Sequence, residues 1–167
     1  MILRLALNAA HRMPYIVDGN NVMGQKPGWH RDRPKARRAL LEQLARFGLA
    51  RQVRITVVFD GAPDRDAPEG SAFRGVKILY AQKGSDADSR IEQLVESLPD
   101  PRGLTVVTSD RRLAFAVRTC GARTVRSGEF RQEVERVLSS KQTEDGEDYE
   151  LDDVNGWLRY FGEESEE

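Results

Sequence analysis

Five short apolar runs punctuate the chain, at residues 15–17, 55–59, 76–80, 104–108 and 123–125, each bounded by turn-forming or charged residues. Their Val, Ile and Thr content and their brevity predict strands. Their nearly unbroken apolar character predicts strands covered on both faces. Between them the apolar spacing turns helical. Leu40, Leu41, Leu44 and Phe47 recur at three- and four-residue intervals behind Pro34, and Ala87, Ile91, Leu94, Val95 and Leu98 form a stripe that Pro99 stops. A third helix spans about 111–120, with Leu113, Phe115, Ala116 and Val117 as its apolar residues and Gly121 where a C-terminal cap glycine belongs. A fourth follows Ser127, with Phe130, Val134, Val137 and Leu138 on one face. This alternation predicts an α/β sandwich around a mostly parallel sheet of about five strands.

Three segments break the pattern. Residues 61–75, rich in Gly, Pro and Asp, read as a long mobile surface loop. Residues 1–12 read as an N-terminal extension ahead of a domain at 13–140. No small-residue cleavage site precedes the first strand, which argues against a secretory signal. From about Lys141 the chain turns polar and acidic, a linker to an amphipathic stretch in which Leu151, Val154, Trp157, Leu158 and Phe161 share a helical face. Docking of that face on the body is favoured over capture of a partner protein, because an exposed Trp/Leu/Phe stripe is costly in water.

The acids fall where the strands end. Residues 15–17 lead into Asp18, residues 55–59 into Asp60, and residues 104–108 through Ser109 into Asp110. In a parallel sheet these positions share the C-terminal edge, where open α/β folds bind their ligands. Asp88 lies in the first turn of the helix that starts at that edge, and Glu92 follows one turn later on the same face. Taken singly, each acid is equally well a turn former or a helix cap, and capping is the favoured role for Asp86. Taken together, crowded carboxylates repel unless a cation sits among them. An all-oxygen set suits Mg²⁺ or Mn²⁺. Two His and one Cys make a nitrogen–sulfur zinc site improbable.

Composition sharpens this picture modestly. The 167 residues are 39% hydrophobic and 32% charged, enough for one sizeable core, and no apolar run is long enough to span a bilayer. The single Cys120 rules out an internal disulfide, fits a cytoplasmic setting, and reads as a small core residue. The net charge of −1 hides a division: residues 1–143 carry 25 Lys+Arg against 16 Asp+Glu, whereas residues 144–167 carry one Arg against 11 acids. A basic body suits a polyanion, and an acidic tail suits screening it. Arg31, Arg33, Lys35, Arg37 and Arg38 form a basic run after the Asp18 loop, and Lys83, Arg111 and Arg112 lie near the acidic edge. Trp29 and His30 beside that run are placed either to stack on a base or to anchor the loop.

At these residues the chain resembles a known family. The segments YIVDGNNVMG (15–24), VVFDG (57–61), YAQKGSDADSRIEQLV (80–95) and VVTSDR (106–111) are similar to the YacP-like branch of the NYN domains, within the PIN-like nuclease superfamily. The match runs in order across about residues 13–138, and the combination is more specific than any one piece.

The resemblance implies a Rossmann-like sheet, a divalent-metal site and endoribonuclease activity in a bacterial cytoplasm. It also gives messenger RNA and the ribosome as partners to test. By position it implies metal ligation by Asp18, Asp88, Glu92 and Asp110, and a catalytic place for Asn20 beside Asp18. Asp60 matches a less uniform acid of the site. Thr108 and Ser109 are placed for supporting hydrogen bonds, and Arg31, Arg33, Lys35, Lys83, Ser109 and Arg111 become the candidate substrate contacts. The acidic C-terminal extension is a departure from the core motif.

Two other classes stay open on the residues alone: an RNA- or ribosome-binding module that does not cut, and a metal-dependent phosphatase. The second is weakened by Asp18-Gly19-Asn20, which lacks the closely following acid of an aspartyl-phosphate site. No GxGxxG follows the first strand, which disfavours a dinucleotide enzyme.

Overall fold

The computed structural model describes residues 13–144. The expected N-terminal extension and the amphipathic stretch around Trp157 lie outside the described residues. The chain forms a six-stranded sheet flanked by helices on both faces. Strand β1 (Pro14–Asp18) is followed by the short helix α1 (Gly19–Met23) and the long helix α2 (Arg33–Arg51). Next come β2 (Arg54–Phe59), the two-residue β3 (Ala72–Phe73) and β4 (Val76–Tyr80). Helix α3 (Ala87–Glu96), β5 (Thr105–Val107), α4 (Arg111–Thr119), β6 (Arg123–Val125) and α5 (Ser127–Glu144) complete the order.

The strand order is β3-β4-β2-β1-β5-β6, parallel throughout except for the antiparallel β3–β4 pair. From β1 the chain winds outward one way through β2 and β4, then returns to the other side of β1 for β5 and β6. The C-terminal end of β1 is therefore the point where the winding direction reverses, the usual crevice for a ligand in such sheets.

The strands bury both faces because adjacent residues point to opposite sides. Val17, Val57, Ile78 and Val107 pack against Leu40, Leu41, Leu44 and Phe47 of α2 and Phe130 and Val134 of α5. Their neighbours Ile16, Val58, Leu79 and Val106 pack against Ile91 and Val95 of α3 and Leu113 and Val117 of α4. The helices thus bury most of the apolar positions seen in the sequence, and Gly121, at φ 101°, follows α4 in the left-handed conformation its position predicted.

Five expectations need correction. Residues 61–75 are not a loose loop. They contain β3 and an Asp64–Ala67 bridge, and they are clamped by a buried arginine. Arg37 donates to the carbonyls of Asp60 (2.6 Å) and Ala62 (3.2 Å) and to Asp64 Oδ1 (2.8 Å), while its guanidinium lies over Phe59 and Tyr80. It is therefore an internal strut and not part of a basic surface run. Cys120 is exposed, since α4 buries nothing after Val117 and Cys120 is its C-terminal cap. Phe115 is 69% exposed, because Leu113, Ala114 and Val117 form the buried face of α4 and Phe115 lies opposite. Leu98 is also exposed, beyond the end of α3.

Candidate active site at the sheet edge

The four strand-edge acids come together on the α3/α4 side of β1. Asp18 has the pleat parity of Ile16, so its side chain points toward that side. It is 4% exposed. Gly19 follows it because β1 turns into α1 against the Phe59 ring; a Cβ there would sit 2.5 Å from ring carbons, so larger residues are excluded. Asp18 Oδ2 accepts from Thr108 Oγ1 (3.0 Å), and the backbone N–H of Asn21 also donates to this carboxylate. Burial pushes the Asp18 pKa up to about 7; those two hydrogen bonds oppose the rise, and the negative charges of Asp88 and Asp60 add to it.

Thr108 joins two acids. Its Oγ1 donates to Asp18 and accepts the backbone N–H of Asp110 (3.1 Å). Asp110 caps α4 through Leu113 N–H (2.8 Å). Asp60 Oδ1 accepts from Ala87 N–H (2.7 Å), so it ties β2 to the start of α3 and fixes where Asp88 emerges. The pKa of Asp88 rises to about 6, first through partial burial and then through Asp110 and Asp86. Asp86 caps α3 by accepting from Ser89 N–H, as expected, and that bond holds its carboxyl below the usual range.

Glu92 meets Arg112 from α4, whose Nη1 stands 2.8 Å from Glu92 Oε1 and whose Nη2 stands 3.8 Å from Asp88. The Glu92 contact is an ion pair without hydrogen-bond alignment, since the same Oε1 is buried and makes no hydrogen bond. Among the described residues, no three His, Cys, Asp or Glu side chains form a ready-made ligand group. The local partners explain this. Asp60 and Asp110 each commit one oxygen to a helix start, Asp18 accepts from Thr108, and Glu92 is paired with Arg112. The donor set itself fits a hard divalent cation: every acid is an oxygen donor, and Asp18 and Asp88 are raised first by burial and further by neighbouring negative charge.

The comparisons with known proteins bear on this edge. Residues 15–156 match the family model of the YacP-like NYN domain. The chain belongs to the YacP-like NYN domain family. It therefore carries a PIN-like, nuclease-type domain. An uncharacterized protein YacP from Bacillus subtilis (strain 168) is 27% identical over 127 residues, covering 73% of this chain and 75% of that protein. The fold matches a crystal structure of a tryptophan-to-leucine mutant of Rae1 (YacP) from Bacillus subtilis, with a TM-score of 0.64 and 24% identity over 90% of this chain and 92% of that one. A second crystal structure of Rae1 (YacP) gives a TM-score of 0.61 and 23% identity over 87% and 82% of the two chains.

Within this YacP-like NYN domain, the remaining expected site residues have distinct positions. Asn20 Oδ1 accepts the backbone N–H of Asp60 (3.1 Å), so it braces the second acid against the first. Ser109 is occupied by structure: its N–H donates to Asn21 Oδ1 (2.8 Å), and its Oγ accepts Ser127 N–H (3.0 Å). Lys83 is exposed in the β4–α3 loop, Arg31 is exposed at the end of a 3-10 turn (Trp29–Arg31), and Arg33 and Lys35 are exposed in the first turn of α2. Arg33 stacks on Trp29, which packs on the core as a loop anchor. Two residues were given no site role from the sequence: Asn21 and the fully buried Ser127, whose Oγ donates to Asn21 Oδ1 (2.6 Å). The doubled Asn after Asp18-Gly19 was the available signal, because a second short polar side chain at a strand end needs a partner.

Proposed function

We propose that this chain is a metal-dependent endoribonuclease of the cytoplasm, hydrolysing RNA phosphodiester bonds at the β1 edge, with messenger RNA on the ribosome as the substrate to test first. The observation that carries the reading is Asp18. A carboxylate is buried at the reversal point of the sheet and raised to about 7 beside two further acids, an arrangement costly to the fold and useful once a cation neutralises it. Asp18, Asp88 and Asp110 would hold Mg²⁺ or Mn²⁺, joined by Glu92 when Arg112 releases it. A cation held there would supply an activated water and neutralise charge on the leaving oxygen.

The protein's own share is positioning. Thr108 couples Asp18 to Asp110 through one hydroxyl, Asn20 holds Asp60 at its backbone, and Asp60 sets the start of α3 and so the place of Asp88. Lys83 and Arg111, with Arg31, Arg33 and Lys35 across the edge, supply phosphate contacts that give affinity without sequence choice.

Purified protein is expected to cut single-stranded RNA in Mg²⁺ or Mn²⁺, and EDTA should stop it. Asp18→Asn should lower cleavage by at least about a hundredfold while RNA binding in EDTA persists. Equal cleavage by wild type and Asp18→Asn on free RNA and on programmed ribosomes would overturn the reading. The lack of a ready-made group of three ligands among the described residues favours a second reading, an RNA-binding domain that does not cut. It predicts affinity with no metal-dependent product.

A further inference from the structure

Helix α4 leaves the acidic edge at Asp110 and carries an unusual outer face. Its buried side is Leu113, Ala114 and Val117. Arg111, Phe115 and Arg118 stand at i, i+4 and i+7, so they form one exposed stripe on the other side. Arg112, also exposed, flanks Phe115 and leads back to Glu92 and Asp88. Exposed Arg126 immediately precedes α5 at the same sheet edge, next to Val125, whose carbonyl accepts the Thr108 N–H. Residues 111–126 hold five Arg and no Asp or Glu.

A phenyl ring that is 69% exposed between two arginines has no role in the core. It offers a π-face at the centre of a positive strip, the combination that holds single-stranded nucleic acid by stacking and phosphate contact. Charge selects the occupant: an apolar protein surface gains nothing from an arginine strip without acids, whereas a polyanion with splayed bases uses both features. Arg118, which donates to Thr124 Oγ1 (3.2 Å), keeps further N–H groups for a phosphate.

We propose that the outer face of α4 is a single-stranded RNA track, with Phe115 stacking on a base while Arg111 and Arg118 take the flanking phosphates and Arg112 and Arg126 guide the strand to the acids. The track deepens the endoribonuclease reading and rests on it for its purpose, but binding can be measured without cleavage. From the helical rise, Phe115 stands about 7 Å along the axis from Asp110, so a base stacked there belongs to a nucleotide close to the cut.

The test uses the full chain in EDTA with a fluorescent oligouridylate. Phe115→Ala is expected to weaken binding about 5- to 100-fold, with Phe115→Trp restoring it and Phe115→Leu not. Arg118→Gln should flatten the salt dependence of log K by about 0.7 for the one phosphate it no longer neutralises, whereas Phe115→Ala should leave that slope unchanged. Because both side chains are exposed, far-UV circular dichroism and melting should match wild type. Unchanged affinity in Phe115→Ala would overturn the track. So would an Ala variant that binds RNA normally but loses self-association in sedimentation, since the face would then be an interface between copies. If Phe115→Ala loses RNA while wild type never cuts, only the nuclease reading fails.

Discussion

Asp18 shows how one residue can serve the site at the expense of the fold. Its carboxyl, raised to about 7 against an ordinary value of 3.8, holds more protons in the folded protein than in the unfolded chain across that interval. Stability without metal should therefore fall as pH rises from about 4 to about 7 and level off above. Asp88, raised to about 6, adds to the decline in the same direction. Asp18→Asn in EDTA is expected to be more stable than wild type at pH 8, by up to ~4 kcal/mol, with the gap closing toward pH 4. Melting curves of the two proteins across pH check this, and an Asn variant that melts lower at pH 8 would mean the buried carboxylate is well solvated. Position and motif both marked Asp18 in the sequence. The hydroxyl of Thr108 that spans Asp18 and Asp110 was foreseen in kind. Its twofold use depends on β5 lying beside β1.

At the scale of elements, the segment between β2 and β4 is the most instructive. Its Gly, Pro and Asp content suggested mobility, because composition reports turns but not what holds them. Arg37 holds them, from a helix more than twenty residues earlier, together with Tyr80, whose hydroxyl donates to the Ala67 carbonyl (2.6 Å). Arg37→Met should destabilise the protein by about 3 kcal/mol and open residues 61–75 to protease, measured by denaturant unfolding and limited proteolysis. Arg37→Lys should rescue little, since a lysine cannot make the three forked contacts. The same strut ends on the Asp60 carbonyl, so cleavage should drop as well. The strands and the four long helices were legible because their apolar periods agree with their burial. β3 was not, because two residues carry no period.

For the whole molecule, the four acids lie at the point where the sheet reverses its winding, and a cation binding only the folded state should stabilise all of it. Mn²⁺ at about a hundredfold above its dissociation constant should add ~2.7 kcal/mol, which for a protein of this size raises the melting temperature by about 5–10 °C. Asp18→Asn should show no such rise in calorimetry. No helix among the described residues is long and apolar enough to cross a membrane. The sequence by itself determined the α/β class, the family, and the placing of Asp18, Asp60 and Asp110 at strand ends, because periodicity and strand-end position are local properties of a chain. The tertiary structure decided what each polar residue is engaged with: Arg37 turned inward as a strut, Phe115 turned outward, and Arg112 set over Glu92 and Asp88. These outcomes depend on which helix faces crossed over to meet, and partners 20 to 90 positions apart leave no mark in local spacing.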